Sequence, residues 1–148
     1  MAATVTLPGF RGSGEAHWQT LWEAHNPGMV RFQPASWDHP DLGNWTAALD
    51  RAVAAAPEPP LLVAHSLACL LIAHWAAREM RKAGQLVRGA FLVSVPDPEA
   101  SAFPAEAATF RDVPGIPLPF PTLVVASTDD PYATLDYSKR CSAAIVPD

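Results

Sequence analysis

The segment from Leu61 to Trp75 constrains this 148-residue chain most, because an apolar, strand-like run changes there into a helix at one serine. Residues 61–64 are Leu-Leu-Val-Ala, and the residues after Ser66 place apolar side chains at helical spacing. A serine at such a corner projects its hydroxyl away from the sheet, while the next backbone N–H faces the same space. Ser66 is therefore a candidate nucleophile, and the N–H of Leu67 is a candidate oxyanion donor.

The pentapeptide Ala64-His65-Ser66-Leu67-Ala68 is a weak form of the usual motif, which has glycine on both sides of the serine. Strand and helix nearly touch at the corner, so small residues are needed there. A second interpretation is that Ser66 is only the N-cap of a buried helix, since serine is a preferred N-cap. The local sequence supports both interpretations equally.

Composition indicates a globular protein and excludes several functional classes. The chain is 49% apolar and 17% charged, with a net charge of -5, which argues against a nucleic-acid binder. No window is apolar enough for a membrane span and no signal peptide is recognisable, so we expect a cytoplasmic protein that does not bind membranes. Cys69 and Cys141 lack metal-ligand spacing, and we expect neither a metal nor a cofactor.

Strand and helix patterns alternate along the chain. Strands are predicted at residues 4–7, 30–33, 61–64, 89–95 and 122–126, and helices at 15–25, 42–56, from Ser66 to Lys82, and from Leu135. Gly84 is expected to stop the third helix. The last two strands are wholly apolar, as in a parallel sheet that helices cover on both faces. We predict an α/β fold in which a doubly wound, mostly parallel sheet is flanked by helices, as one domain over residues 1–148.

Three chemically useful groups follow predicted strands. Ser66 follows the third strand, Phe10 the first, and Asp129-Asp130 the fifth, so all lie at the carboxyl ends of parallel strands, where ligands bind. Phe10 follows Gly9 and could offer its N–H as a second oxyanion donor; alternatively, Gly9 only makes a turn. Acyl transfer needs a nucleophile, oxyanion donors and an acid that orients a base. For Asp129 we favour N-capping or solvation of the turn over such a role.

At these residues the sequence resembles the small single-domain α/β-hydrolases related to retinoblastoma-binding protein nine. The resemblance extends over essentially the whole chain, and the matching segments are Leu7-Pro8-Gly9, Gly12-Ser13-Gly14, His17-Trp18, Val63 to Cys69, His74-Trp75, Pro96-Asp97-Pro98, Leu118 to Pro121 and Ala126 to Tyr132. It implies a compact serine hydrolase acting on a small ester or related acyl substrate. It also implies Ser66 as nucleophile, Asp130 as the acid, and Phe10 and Leu67 N–H as oxyanion donors.

This sequence departs from the family's pattern at the catalytic base. The family places a histidine, in a Gly-His context, after a further strand beyond the acid, and no histidine follows His74 here. The resemblance therefore implies that the fold lacks its last strand and helix and that residues 1–148 are C-terminally incomplete. Of the histidines present, His17 is the one local candidate for a base, whereas His65 is expected to support the corner. We expect His17, Trp18 and His65 to line the pocket.

The missing base leaves a second function open, namely a non-catalytic member that binds a protein partner or forms a homo-oligomer. The proline-rich stretch from Pro96 to Pro121 is long for a connection, which is typical of a functional lid or wall. We expect it to wall an apolar pocket through Phe103, Phe110 and Phe120.

Overall fold

The computed structural model describes residues 3–148. Its strands are β1 (Thr4–Leu7), β2 (Met29–Arg31), β3 (Leu61–His65), β4 (Gly89–Val93) and β5 (Thr122–Val125). Its helices are α1 (Trp18–His25), α2 (Leu42–Ala55), α3 (Leu67–Arg78), α4 (Met80–Leu86) and α5 (Leu135–Ile145), with a 3-10 helix at Ala105–Phe110. The strands form one five-stranded sheet in the order β2-β1-β3-β4-β5, and every pairing is parallel.

The register between β1 and β3 determines where the candidate site forms. Thr6 pairs with Val63 and Leu7 with Ala64, so the two strands end side by side at their carboxyl ends. Residues that follow Leu7 are therefore next to the corner at Ser66.

Helices pack on both faces of the sheet, which confirms the predicted α/β class. Trp22 of α1 stacks on Phe91 of β4 on one face, with ring centroids 5.8 Å apart. On the other face, Leu92 of β4 is buried in the main core together with Trp45 of α2 and Leu71 of α3. Side chains alternate between faces along a strand, so the two neighbours Phe91 and Leu92 pack against helices on opposite faces of the sheet.

The prediction of one long helix after Ser66 is wrong. Glu79, at φ -147° and ψ 75°, is not helical and separates α3 from α4. Gly84 lies inside α4 and does not stop it. A Cβ at Gly84 would be 3.0 Å from Pro119 O, so this glycine allows the chain near Pro119 to approach the helix closely.

The expectation that helices cover both faces of the fifth strand is also wrong. Leu123 is 59% exposed and Val125 is 40% exposed, because β5 is an edge strand and α1 reaches only as far as Phe91. In the part of the chain that the structure describes, this face of β5 has no helix packed on it. Apolar side chains on an uncovered edge strand favour association.

Gln19 is a buried polar residue that joins α1 to the two central strands. It is fully buried, and its Nε2 donates to Leu7 O and to Val63 O, both at 3.1 Å. Its Oε1 accepts a hydrogen bond from Ser13 Oγ at 2.7 Å. One side chain therefore fixes the loop after β1 to the ends of β1 and β3.

Arg31 holds the same loop from the other side. Its guanidinium pairs with both carboxylate oxygens of Glu23, at 2.7 and 3.1 Å, and donates to Ser13 O at 3.1 Å. It also donates to Thr20 Oγ1 at 2.9 Å. A bidentate pair of this kind has a specific geometry, so the loop, α1 and β2 are held in one arrangement.

We predict that Gln19→Leu lowers the free energy of unfolding by about 2–4 kcal/mol, because two buried carbonyl oxygens lose their donor and no water replaces it. Urea unfolding at neutral pH, followed by circular dichroism, measures the change. Leu21→Gln, on the exposed side of the same helix, is the matched control and should change stability by less than about 0.5 kcal/mol. Equal stability of the Gln19→Leu protein and the wild type would contradict the prediction.

Candidate active site

Ser66 occupies a strained backbone position between β3 and α3. Its φ is 55° and its ψ is -119°, a conformation that residues with a side chain rarely adopt. Its N–H donates to Val93 O at 2.9 Å, and its side chain makes no capping hydrogen bond to α3. Ser66 is the N-cap residue of α3 by position, but its hydroxyl does not cap the helix, so capping does not account for a serine here.

Gly9 packs directly against the backbone of this corner. A Cβ at Gly9 would be 2.7 Å from His65 O and 3.2 Å from Leu67 N. These distances are too short for any residue with a side chain. The chain at position 9 has to be glycine for this contact, which is a stronger requirement than making a turn. The contact brings Phe10 to the side of Ser66.

Two backbone N–H groups beside Ser66 have no acceptor among residues 3–148. One belongs to Leu67, which is the first residue of α3 and has no intrahelical acceptor. The other belongs to Phe10, although its neighbour Arg11 donates to Trp37 O at 2.9 Å. Both residues line the same cavity as Ser66. The predicted pair of oxyanion donors is thus brought together with the candidate nucleophile.

The cavity beside Ser66 measures about 220 Å³ and is mainly apolar. Phe103 and Pro104, from the segment between β4 and β5, form part of its wall together with His17. A larger cavity of about 470 Å³ lies between β2 and α2, but none of the predicted site residues lines it. We therefore place the candidate site at the smaller cavity.

Only part of the predicted aromatic wall is present. Phe103 lines the cavity as expected, but Phe110 packs on Trp45 in the core, with ring centroids 5.3 Å apart. Phe120 is also buried in the core. The 3-10 helix that ends at Phe110 turns this side chain back into the protein, and the sequence pattern does not predict that turn.

A second opening, a cleft of about 310 Å³, lies on the other side of Ser66 and is lined by Asp129 and Asp130. The half-buried Asp130 accepts the N–H of Tyr132 through Oδ1 at 2.8 Å. The exposed Asp129 accepts a hydrogen bond from Ser127 Oγ within its own turn. These contacts agree with the expectation that Asp129 stabilises the turn and leave one oxygen of Asp130 without a partner in residues 3–148.

His65 ends β3 next to Ser66 and is neutral at neutral pH. Burial of the ring, and secondly the neighbouring His17, lower the pKa of His65 from 6.5 to about 4, although Asp130 opposes the shift. The His65 and His17 rings meet edge to face, with centroids 4.7 Å apart. His65 makes no hydrogen bond to Ser66 Oγ, in agreement with a supporting role.

His17 caps α1. Its Nδ1 accepts the N–H of Gln19 at 3.1 Å, which is why α1 begins at Trp18 and not at Glu15 as predicted. Partial burial and the nearby Arg31 lower the pKa of His17 below 6.5. Trp18, which we expected in the pocket, packs instead against Trp22 and Phe91. His17 therefore lines the cavity with a neutral ring and Trp18 does not line it.

The other histidines lie away from Ser66. His74 Nε2 shares a hydrogen bond with Phe110 O at 2.9 Å, and His25 and His39 are exposed. Within residues 3–148, no histidine is hydrogen-bonded to Ser66 Oγ. These residues also contain no group of three potential metal ligands, and none of their helices is long and apolar enough to cross a membrane.

Two residues of the site, Ser94 and Gln19, are not among those that the sequence predicts. Ser94 follows β4 with a φ of 59° and lines the cleft between Ser66 and Asp130. Gln19 holds the loop that carries Phe10. A polar residue between two tryptophans on a predicted buried helix face is the signal that could have indicated Gln19; Ser94 has no comparable signal.

Several solved structures share this fold. A YdeN-like hydrolase from Pectobacterium atrosepticum matches with a TM-score of 0.82 and 26% identity, over 97% of this chain and 72% of its own. The ydeN gene product of B. subtilis matches with a TM-score of 0.71 and 21% identity, over 98% of this chain and 81% of its own. The pyrethroid hydrolase PytH matches with a TM-score of 0.60 and 13% identity, over 97% of this chain and 84% of its own. No curated protein matches the chain significantly.

The comparisons confirm the resemblance at the level of a small serine hydrolase of the α/β type, whereas the closer relation to retinoblastoma-binding protein nine stays a prediction. The family model described as serine hydrolase matches residues 4–146, nearly the whole chain. This protein therefore belongs to the serine hydrolase family.

Proposed function

We propose that this protein hydrolyses small esters or related acyl compounds, with Ser66 as the nucleophile. The main support is that Ser66, at positive φ, lines one cavity with Phe10 and Leu67, whose N–H groups have no acceptor in residues 3–148. This is the arrangement of a nucleophile elbow, in which the N–H groups hold the oxyanion that forms when serine attacks a carbonyl.

The size of the cavity favours a small acyl group. Its volume of about 220 Å³ is below the roughly 300–1,000 Å³ of sites that take drug-sized ligands. The Phe103 and Pro104 walls are apolar, so the acyl group is expected to be short and largely uncharged.

Ser66 needs a base, since a serine hydroxyl is a weak nucleophile on its own. Neither nearby histidine is arranged to serve: His17 Nδ1 is occupied by Gln19 N–H, and His65 has a pKa of about 4. The cleft of about 310 Å³ between Ser66 and Asp130 has room for an imidazole ring. We propose that an imidazole in this cleft accepts the Ser66 proton and is oriented by Asp130.

The alternative is a non-catalytic member that binds a protein partner. It is supported by the lack of any histidine hydrogen-bonded to Ser66 in the described residues. Under this alternative, Ser66 would not react with acyl compounds even when a base is supplied.

We predict that free imidazole accelerates hydrolysis of 4-nitrophenyl acetate by the protein. Substituting alanine for Ser66 should reduce the imidazole-dependent rate by on the order of 100-fold, the usual scale of general base catalysis. The rate is measured by release of nitrophenolate over a series of imidazole concentrations, with the reaction of imidazole alone subtracted.

Ser127→Ala is the matched control, because Ser127 lines the same cleft but makes hydrogen bonds only within its own turn. It should keep the rate of the wild type. Equal rates for Ser66→Ala and the wild type, together with no labelling of Ser66 by a fluorophosphonate, would reject hydrolysis through Ser66 and favour the non-catalytic alternative.

We predict that Asp130→Asn reduces the imidazole-dependent rate by about tenfold or more, because an amide neither orients nor stabilises the imidazolium that forms. Asp129→Asn should change the rate by less than about twofold, within the range of a surface substitution. Both variants keep a side-chain acceptor oxygen, for the Tyr132 N–H at position 130 and for the Ser127 hydroxyl at position 129. A larger effect at Asp129 would show that the two acids have been assigned in the wrong order.

We predict a pH dependence of stability that can be traced to His65. Its pKa is lowered from 6.5 to about 4 in the folded chain, so the unfolded chain binds more protons between these values. The contribution of neutral His65 is complete above pH 6.5 and is lost as the pH falls toward about 4. Urea unfolding of wild type and His65→Asn should show the wild type losing more stability over this range; parallel curves would contradict the shift.

A further inference from the structure

His17 has one ring nitrogen bonded to its own helix and the other without a protein partner. Nδ1 accepts the N–H of Gln19 at 3.1 Å, so this nitrogen carries no proton. A neutral imidazole has its single N–H on the other nitrogen, which is Nε2 here. Within residues 3–148, Nε2 makes no hydrogen bond, and the ring lines the cavity that contains Ser66, Phe10 and Leu67.

The capping bond also fixes the role of the ring. Protonation would put a second N–H on Nδ1, facing the N–H of Gln19, and the cap would be lost. Partial burial and Arg31 act in the same direction and lower the pKa of His17. His17 is therefore held as a hydrogen-bond donor through Nε2, and it cannot accept a proton at Nδ1 while α1 is capped.

We propose that His17 is a substrate-binding residue whose Nε2–H donates to a second acceptor oxygen of the acyl group, so that the site prefers acyl groups that carry such an oxygen, 3-oxoacyl groups among them, over plain alkyl acyl groups. This inference rests on the proposed function in that it places the acyl group in the Ser66 cavity. When an apolar ligand displaces the water bound to the Nε2–H group, that group loses a hydrogen bond and gains none. A ligand with an acceptor oxygen at this point replaces the lost hydrogen bond. The cavity of about 220 Å³ brings the acyl group close to His17.

Binding of two uncleaved amides tests the proposal without requiring catalysis. N-methyl-3-oxobutanamide and N-methylbutanamide differ only in a carbonyl in place of a methylene group. NMR titration of the wild type, and of Ser66→Ala, should give about fivefold tighter binding of the oxo compound, the scale of one net hydrogen bond. Long-range proton–nitrogen spectra of His17 should show the Nε2–H form and a shift on addition of the oxo compound.

Two substitutions at position 17 separate substrate binding from helix capping. Asparagine places an acceptor where Nδ1 lies but has no group at Nε2, so His17→Asn should keep its melting temperature and lose the preference. Glutamine reaches the position of Nε2 but caps poorly, so His17→Gln should melt at a lower temperature and keep the preference.

Equal binding of the two amides by the wild type, no binding of either, an Nδ1–H form of His17, or a preference retained in His17→Asn would each overturn the proposal. These outcomes are distinct from failure of the proposed function. If imidazole and fluorophosphonate show that Ser66 does not react, but the oxo compound still binds more tightly, hydrolysis is rejected and the binding role of His17 stands.

Discussion

The contact between Gly9 and the corner at Ser66 is the constraint on which the site depends. The backbone at Gly9 lies so close to His65 O that a single added carbon would be 2.7 Å from it. This approach is possible because β1 and β3 are adjacent and end at the same level of the sheet. With it, Phe10 and Leu67, from distant parts of the chain, line one small cavity with Ser66.

The architecture was largely predictable because hydrophobic periodicity and proline or glycine positions mark each strand and helix. All five strands occur where the pattern indicated. The break at Glu79 was not predictable, since the pattern from Ser66 to Lys82 reads as one helix. The role of Gly84 was not predictable either, because its close approach to Pro119 is a contact between segments distant in sequence. The exposed face of β5 was not predictable either, because an apolar strand has the same sequence pattern at the edge of a sheet as at its centre.

The site was predictable where a residue type follows a strand, as for Ser66, Phe10 and Asp130, because the carboxyl ends of parallel strands meet at one edge. Side-chain direction was not predictable in the same way. Phe110 and Phe120 turn into the core, and the two ring nitrogens of His17 differ only because Gln19 N–H faces one of them. These outcomes depend on contacts between segments that are separate in sequence or on a helix start displaced by three residues.

The bonds of Gln19 and Arg31 have a consequence for the dynamics of the loop after β1. Gln19 ties this loop to two central strands, and Arg31 ties it to α1 and β2. The loop is therefore part of the rigid framework of the sheet, and its hydrogen-bonded amide protons, those of Arg11 and Gly12, should exchange with solvent at rates set by opening of the sheet rather than by local motion. The N–H of Phe10 is ordered when the chain folds, so its dipole already has its final direction before any ligand arrives.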